Sequence, residues 1–186
     1  MNWKIEHACE NETHTHTHTH THTRTMYTNR PTAEEVELHP FFWPDHKKLL
    51  FLKDASDRLE IEKPTAPIVT RYEKDEAGPK ILQGRDWTKV LDKELVEDLG
   101  KYRKYNGATV RDLLRVIRNK SHHYRDLAPQ VRKLLGTMPE GFLRYFLVKF
   151  PHLFIVTYAF IKRECAREPA FQSYFAGQES RDILTL

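Results

Sequence analysis

Val110, Leu113, Leu114 and Ile117 recur at i, i+3, i+4 and i+7. That period suits a helix buried along one side, and it excludes a strand, whose sides alternate every second residue. At about 100° per residue, Arg111, Arg115, Arg118, Asn119, His122 and His123 spread over the opposite side. The polar face therefore offers cations, an amide and imidazoles, with one acid, Asp112. Cations neutralise phosphate oxygens, Asn donates hydrogen bonds to them, and His moves a proton near neutral pH. Such a face suits a phosphodiester.

The same helical spacing recurs along the chain. Leu49, Leu50, Leu52, Ala55 and Leu59 predict a helix that Asp45 caps and that runs to about Glu62. Leu91, Leu95, Val96, Leu99 and Tyr102 predict another, ending near the loop signal Tyr105-Asn106-Gly107. Thr109 opens the next helix, with Asp112 at the capping-box position. Pro129 suits the first turn of a helix that Gly136 ends, and residues 140–150 and 151–167 form two more. Upstream, a Thr32-x-x-Glu35 box opens a short helix that Pro40 stops, and Phe41, Phe42 and Trp43 make an apolar plug. Residues 63–86 carry Pro64, Pro67, Gly78, Pro79 and Gly84, and read as loop apart from a short helix started by Pro67-Ile68-Val69. With no strand pattern and no long repeat, the fold class is all-α, a single helical bundle with short connections.

A chain of 186 residues suffices for one domain with a core and a tail. Its net charge of +4 permits an anionic partner without requiring one. The longest apolar run, 153–161, is interrupted by Thr157 and is too short for a bilayer, and no signal-peptide h-region stands at the N-terminus. Cys9 and Cys165 imply no disulfide framework, so a reducing compartment is expected. Residues 13–23 alternate Thr and His. That tract reads either as a metal-binding tail or, more simply, as translation of an (AC)n dinucleotide repeat. Having nothing to bury, residues 1–28 are expected to be a disordered low-complexity tail.

Several blocks then stand in a distinctive order. They are Arg30-Pro31-Thr32-Ala33, His39-Pro40-Phe41-Phe42-Trp43, Val110-Arg111-Asp112-Leu113-Leu114-Arg115, Arg118-Asn119-Lys120, His122-His123-Tyr124-Arg125 and Phe150-Pro151-His152-Leu153. Over roughly residues 39–175 this order resembles the kinase-extension nuclease domain. That domain is the C-terminal endoribonuclease module of the inositol-requiring transmembrane kinase/endoribonuclease of the unfolded protein response; ribonuclease L carries a more distant version. The resemblance implies a nuclease domain over 43–176, the end of a protein-kinase C-lobe over 29–42, and a tail over 177–186. Tyr124-Arg125-Asp126-Leu127 looks like a kinase catalytic loop. However, Val131 stands where that loop needs Asn, and Ala128 where it usually has Lys, so no kinase activity is expected of this chain.

The resemblance also implies a chemistry. RNA carries its own nucleophile, the ribose 2′-OH, so cleavage needs that proton removed, phosphorus-centred charge stabilised and the 5′-oxygen protonated. It places this work on Tyr105, Arg118, Asn119 and His123, with His123 as general acid and Tyr105 as general base or 2′-OH orienter. Tyrosine is a weak acid, so Lys101, Arg118 or Lys120 would have to favour the phenolate. Lys101, Arg111, Arg115, Lys120 and His122 are the expected RNA contacts. No cofactor is implied, and the acids show no metal-ligand pattern. Ser121 stands where relatives commonly carry a second Lys, one cation fewer beside the site. Phe142, Tyr145, Phe146, Phe150 and Phe154 read as core, and His152 as structural.

The expected partners are stem-loop RNA and a homodimer or higher oligomer. The alternative is a catalytically silent dimerisation module, or a gene fragment, that assembles with a full-length kinase/endoribonuclease. A helical DNA-binding module is a third class with little support in the residues. The fragment is expected in the cytoplasm, and a full-length relative at the cytosolic face of the endoplasmic reticulum membrane.

Overall fold

The computed structural model describes residues 33–101 and 103–176. The expected N-terminal tail, most of the segment 29–33, Thr32 of the first capping box, Cys9, Tyr102 and the tail 177–186 lie outside the described residues. Among the described residues every regular element is helical. In chain order they are α1 (Ala33–Glu37), a 3-10 turn (Pro40–Phe42), α2 (Asp45–Glu60), α3 (Pro67–Thr70), a 3-10 turn (Trp87–Lys89), α4 (Lys93–Gly100), α5 (Val110–His122), a 3-10 turn (Tyr124–Asp126), α6 (Pro129–Leu135), α7 (Glu140–Lys149), α8 (Leu153–Cys165) and α9 (Pro169–Phe175).

Residues 71–82 depart from the expected loop. α3 runs on as wide π-helical turns, Arg71–Glu76 and Gly78–Leu82. Pro79 has no N–H, which reads as a helix stop, but the wider turns continue the rod past it. Gly78 makes this possible, because a Cβ there would stand 1.9 Å from the Glu73 carbonyl oxygen. The rod ends at Gln83, in left-handed backbone at φ 53°.

The described residues from Glu37 onward belong to one compact unit, with α5 packed chiefly on α2. Val110, Leu113, Leu114 and Ile117 are all fully buried, so the apolar stripe of α5 lies where its spacing puts it. α9 closes the far end of the core. Trp43 stacks on its Tyr174 at 5.6 Å between ring centres, and Phe51 packs against Phe154, Tyr158, Phe171 and Phe175. The plug before α2 is therefore sealed by the last described helix, which residue spacing had not marked out. Of the plug, only Trp43 is buried; Phe41 and Phe42 are exposed.

Phe142, Phe146, Phe150 and Phe154 are core as expected, while Tyr145 is half-buried and donates to the Asp92 carboxylate at 2.7 Å. His152 is exposed. Among the described residues no single helix is long and apolar enough to cross a membrane, and α7 and α8 are bent 93° from one another.

Candidate active site

Two anchors position α5 and the loop before it. The first is Glu73, whose carboxylate accepts from the N–H groups of Val110 and Arg111 at 2.9 and 2.6 Å. It supplies the N-terminal cap that Thr109 was expected to give. The Thr109 hydroxyl instead donates to the Asn106 carbonyl, and Asp112 accepts from the Asn106 N–H at 2.6 Å and from Arg115. Burial raises the Glu73 carboxyl above the usual range, and the two N–H groups only partly offset it.

The second anchor is Trp87, fully buried, whose Nε1–H is shared by the Asn106 and Thr109 carbonyls at 3.1 and 3.0 Å. Its own N–H donates to the Gly107 carbonyl at 2.9 Å. A Cβ on Gly107 would stand 1.8 Å from Oδ1 of Asp86 and would push that carboxylate off its bonds to Thr88. Trp87 also packs edge-on against Tyr105, with ring centres 6.1 Å apart.

Held this way, the Tyr105 hydroxyl accepts from Nδ2 of Asn119 at 3.3 Å. Oδ1 of Asn119 accepts from Nε of Arg118 at 3.2 Å, and Nη1 of Arg118 reaches Asp57 at 2.5 Å. α5 stops one residue before His123, whose N–H still donates to the Asn119 carbonyl at 3.0 Å. The His123 ring is exposed, its Nδ1 lying 3.4 Å from an Asp126 oxygen. Tyr105, Asn119, Lys120 and His123 line one cleft of about 510 Å³ together with Asp98, Leu99, Arg103, Asp126 and Leu127. No set of three His, Cys, Asp or Glu side chains that could hold a metal ion occurs among the described residues.

Of the other expected site residues, Lys120 alone lines this cleft. Arg118 meets the cleft through Asn119 and does not line it. Lys120 is buried, with its ammonium 2.6 Å from Asp98, and Lys101 lies outside the lining, 3.4 Å from the other Asp98 oxygen. Burial pushes the Asp98 carboxyl up, yet the hydrogen bond and charge of Lys120, with those of Lys101, outweigh it and hold Asp98 below the usual carboxylate range. His122 is exposed beside Lys53 and Arg118; burial and then Lys53 lower its pKa, against the pull of Asp57. The Ser121 hydroxyl bonds back to the Arg118 carbonyl at 2.8 Å.

Arg111 and Arg115 are not on an open phosphate-facing stripe. Both are buried. Arg111 donates to the Glu60 and Glu62 carbonyls at 3.0 and 2.7 Å, satisfying the C-terminal end of α2, while Arg115 pairs with Glu60 and Asp112. Residue spacing had not singled out Asp57, Asp98, Arg103, Glu73 or Trp87. Asp98 alone left a signal, an acid on the same stripe as the buried Leu95 and Leu99.

A family model described as Ribonuclease 2-5A, the kinase-extension nuclease module, matches residues 48–175. The chain belongs to that family. Relatives within it include the probable serine/threonine-protein kinase ireA of Dictyostelium discoideum, 50% identical over 147 residues, which cover 78% of this chain and 15% of the relative. The serine/threonine-protein kinase/endoribonuclease IRE1a of Arabidopsis thaliana is 44% identical over 146 residues, 78% of this chain and 17% of its own. The sensor for unfolded proteins in the ER ire1 of Schizosaccharomyces pombe is 46% identical over 149 residues, 79% of this chain and 14% of its own. This kinase-extension nuclease chain thus spans about one sixth of the length of the curated relatives it matches, and the match takes in α2 through α9.

Proposed function

We propose that the chain is a metal-independent endoribonuclease that cuts single-stranded loops of RNA stem-loops, as part of the unfolded-protein response. The observation that carries this is the shared cleft: a Tyr105 hydroxyl tied to Asn119, with His123 one helical turn further on. Tyr105, acting as its phenolate, takes the proton of the ribose 2′-OH and becomes the neutral phenol, and the 2′-oxygen attacks phosphorus. The P–O5′ bond breaks, and His123 gives its proton to the departing 5′-oxygen. The products are a 2′,3′-cyclic phosphate and a 5′-hydroxyl. Asn119 and Arg118 hold the non-bridging oxygens, which requires Arg118 to swing from Asp57 toward the cleft. Unstacked loop bases are the accessible target for such a site. The names of relatives support the class, since one is called a kinase/endoribonuclease and another a sensor for unfolded proteins in the ER.

The test is cleavage of a hairpin RNA in EDTA by the wild-type chain and by His123→Ala, with product ends identified by mass. Cyclic-phosphate ends from the wild type and none from the variant support the reading. Equal cutting by both, or no cutting by the wild type at high protein concentration, defeats it. A second reading is assembly with a full-length kinase/endoribonuclease without cleavage. It draws on Phe41 and Phe42, 70% and 60% exposed beside α2, a pairing typical of a partner surface. Co-sedimentation with such a relative, with hairpin RNA left intact, selects it.

A further inference from the structure

A second cleft, of about 540 Å³, opens on the other side of the 103–109 loop. Tyr105 lines the first cleft and its neighbour Asn106 the second. Arg103 lines both. The loop is therefore a partition, with a guanidinium where the two spaces meet.

Three features of the second cleft point to a bound anion carrying an apolar body. Arg111 lies in its wall, 9% exposed, with Nη2 held by two carbonyls of the α2 end, and puts a fixed positive charge beneath the surface. Lys74 and Arg103 add two exposed cations on the same lining. The carboxylates there are already engaged: Glu73 by the N–H groups of Val110 and Arg111, Asp112 by Asn106 and Arg115. Pro64, Thr65 and Val69 supply a largely apolar wall against which a ribose or base can lie.

We infer that this second cleft holds a nucleotide of the RNA strand adjoining the one that is cut, with the exposed cations Lys74 and Arg103 on its phosphate and the charge of Arg111 behind them. The inference rests on the endoribonuclease reading above for the identity of the strand. A strand passing over the partition stays against Arg103 throughout, so holding the neighbour fixes the scissile phosphate against Tyr105 and His123.

The experiment uses the full chain with three substitutions: Thr65→Trp, which fills the cleft from an exposed position; Lys74→Ala, which removes one cation; and Lys93→Ala, a control on the exposed start of α4. Binding of a fluorescent 2′-O-methyl hairpin, which cannot be cut, is read by anisotropy across a salt series. Cleavage is read on a hairpin and on a dinucleotide too short to reach the second cleft. Thermal melts establish that each variant is folded.

The expected result is hairpin affinity about tenfold weaker for Thr65→Trp and Lys74→Ala, the scale of one charge-assisted hydrogen bond. The salt slope of Lys74→Ala falls by about 0.7, the value for one single-strand phosphate contact. Dinucleotide cleavage and the Lys93→Ala control stay at wild-type level. Hairpin affinity unchanged in both cleft variants overturns the inference, and so does an equal loss on the dinucleotide. If the wild type cuts neither substrate but binds the hairpin in a Lys74- and Thr65-dependent way, the catalytic reading falls and the nucleotide cleft stands.

Discussion

Asp98→Asn is expected to destabilise the domain by about 3 kcal/mol at neutral pH, with a pH signature of its own. Nζ of Lys120 lies 2.6 Å from Oδ2 of Asp98, and both side chains are only 8% exposed, so solvent screens the pair little. Removing one partner of a buried pair costs about 3–5 kcal/mol. Asn keeps an acceptor near the ammonium, which sets the estimate at the lower end of that range. Lys101 adds little, because its side chain is 62% exposed. For a domain of this size, about 2–4 °C per kcal/mol gives a melting-temperature drop of about 6–12 °C. The carboxyl of Asp98 is held below its ordinary value in the folded chain, by Lys120 and Lys101 against burial. A depressed folded value contributes stability that is complete above the unfolded pKa and is lost as pH falls through the folded one. The gap between wild type and Asp98→Asn should thus be full at neutral pH and close in the acid range. Calorimetric melts over that range measure it. Replacing both partners, Asp98→Leu with Lys120→Met, should recover most of the loss. A gap that stays constant with pH, or a double variant no better than the single one, refutes the reasoning.

Three further outcomes follow from the anchors around the site. Glu73 behaves oppositely to Asp98: burial raises its carboxyl, so its contribution is present below the unfolded value and is lost as pH rises through the raised folded one. Glu73→Gln keeps an acceptor for the cap without the charge, and its stability relative to wild type should improve as pH climbs through that window; a pH-independent difference in melting contradicts this. Trp87→Phe leaves the Asn106 and Thr109 carbonyls without their shared donor, costing about 1–2 kcal/mol, and should lower kcat on hairpin RNA more than it raises KM because the loop carrying Tyr105 loosens. Asp126→Asn tests a weaker contact: the His123–Asp126 side chains are 73% and 78% exposed, so kcat/KM should change by less than about fivefold, and a larger loss in steady-state assays shows that Asp126 orients the ring.

Local periodicity carries information about apolar faces and little about what covers the polar ones. The stripe Val110, Leu113, Leu114, Ile117 is buried as its spacing requires, and the all-α class follows from the same signal repeated along the chain. The opposite face of α5 shows the limit. Arg111 and Arg115 share a helical face with Arg118 and Asn119, yet α2 ends against the first two and binds them through Glu60 and Glu62. At the C-terminal end of α5 the polar face borders the cleft of Tyr105 and His123, while at its start the two arginines are tied down in the wall of the second cleft.

The N-terminal cap fails for the same reason. Thr109 and Asp112 satisfy the local pattern, but Glu73 arrives from a separate element and takes both N–H groups, leaving Asp112 to tie Asn106 to Arg115. Glu73 sits in the π turn Arg71–Glu76 that continues α3, within a proline- and glycine-bearing stretch that reads locally as loop. The position of Tyr105 is then a consequence of distant residues. Glu73 fixes where α5 starts, Trp87 holds the loop at Asn106, Gly107 and Thr109, and the Tyr105 hydroxyl is left within reach of Asn119, fourteen positions on. A motif spacing can mark that Tyr and Asn belong together, but the contact itself is made by Glu73 and Trp87, which stand outside the motif.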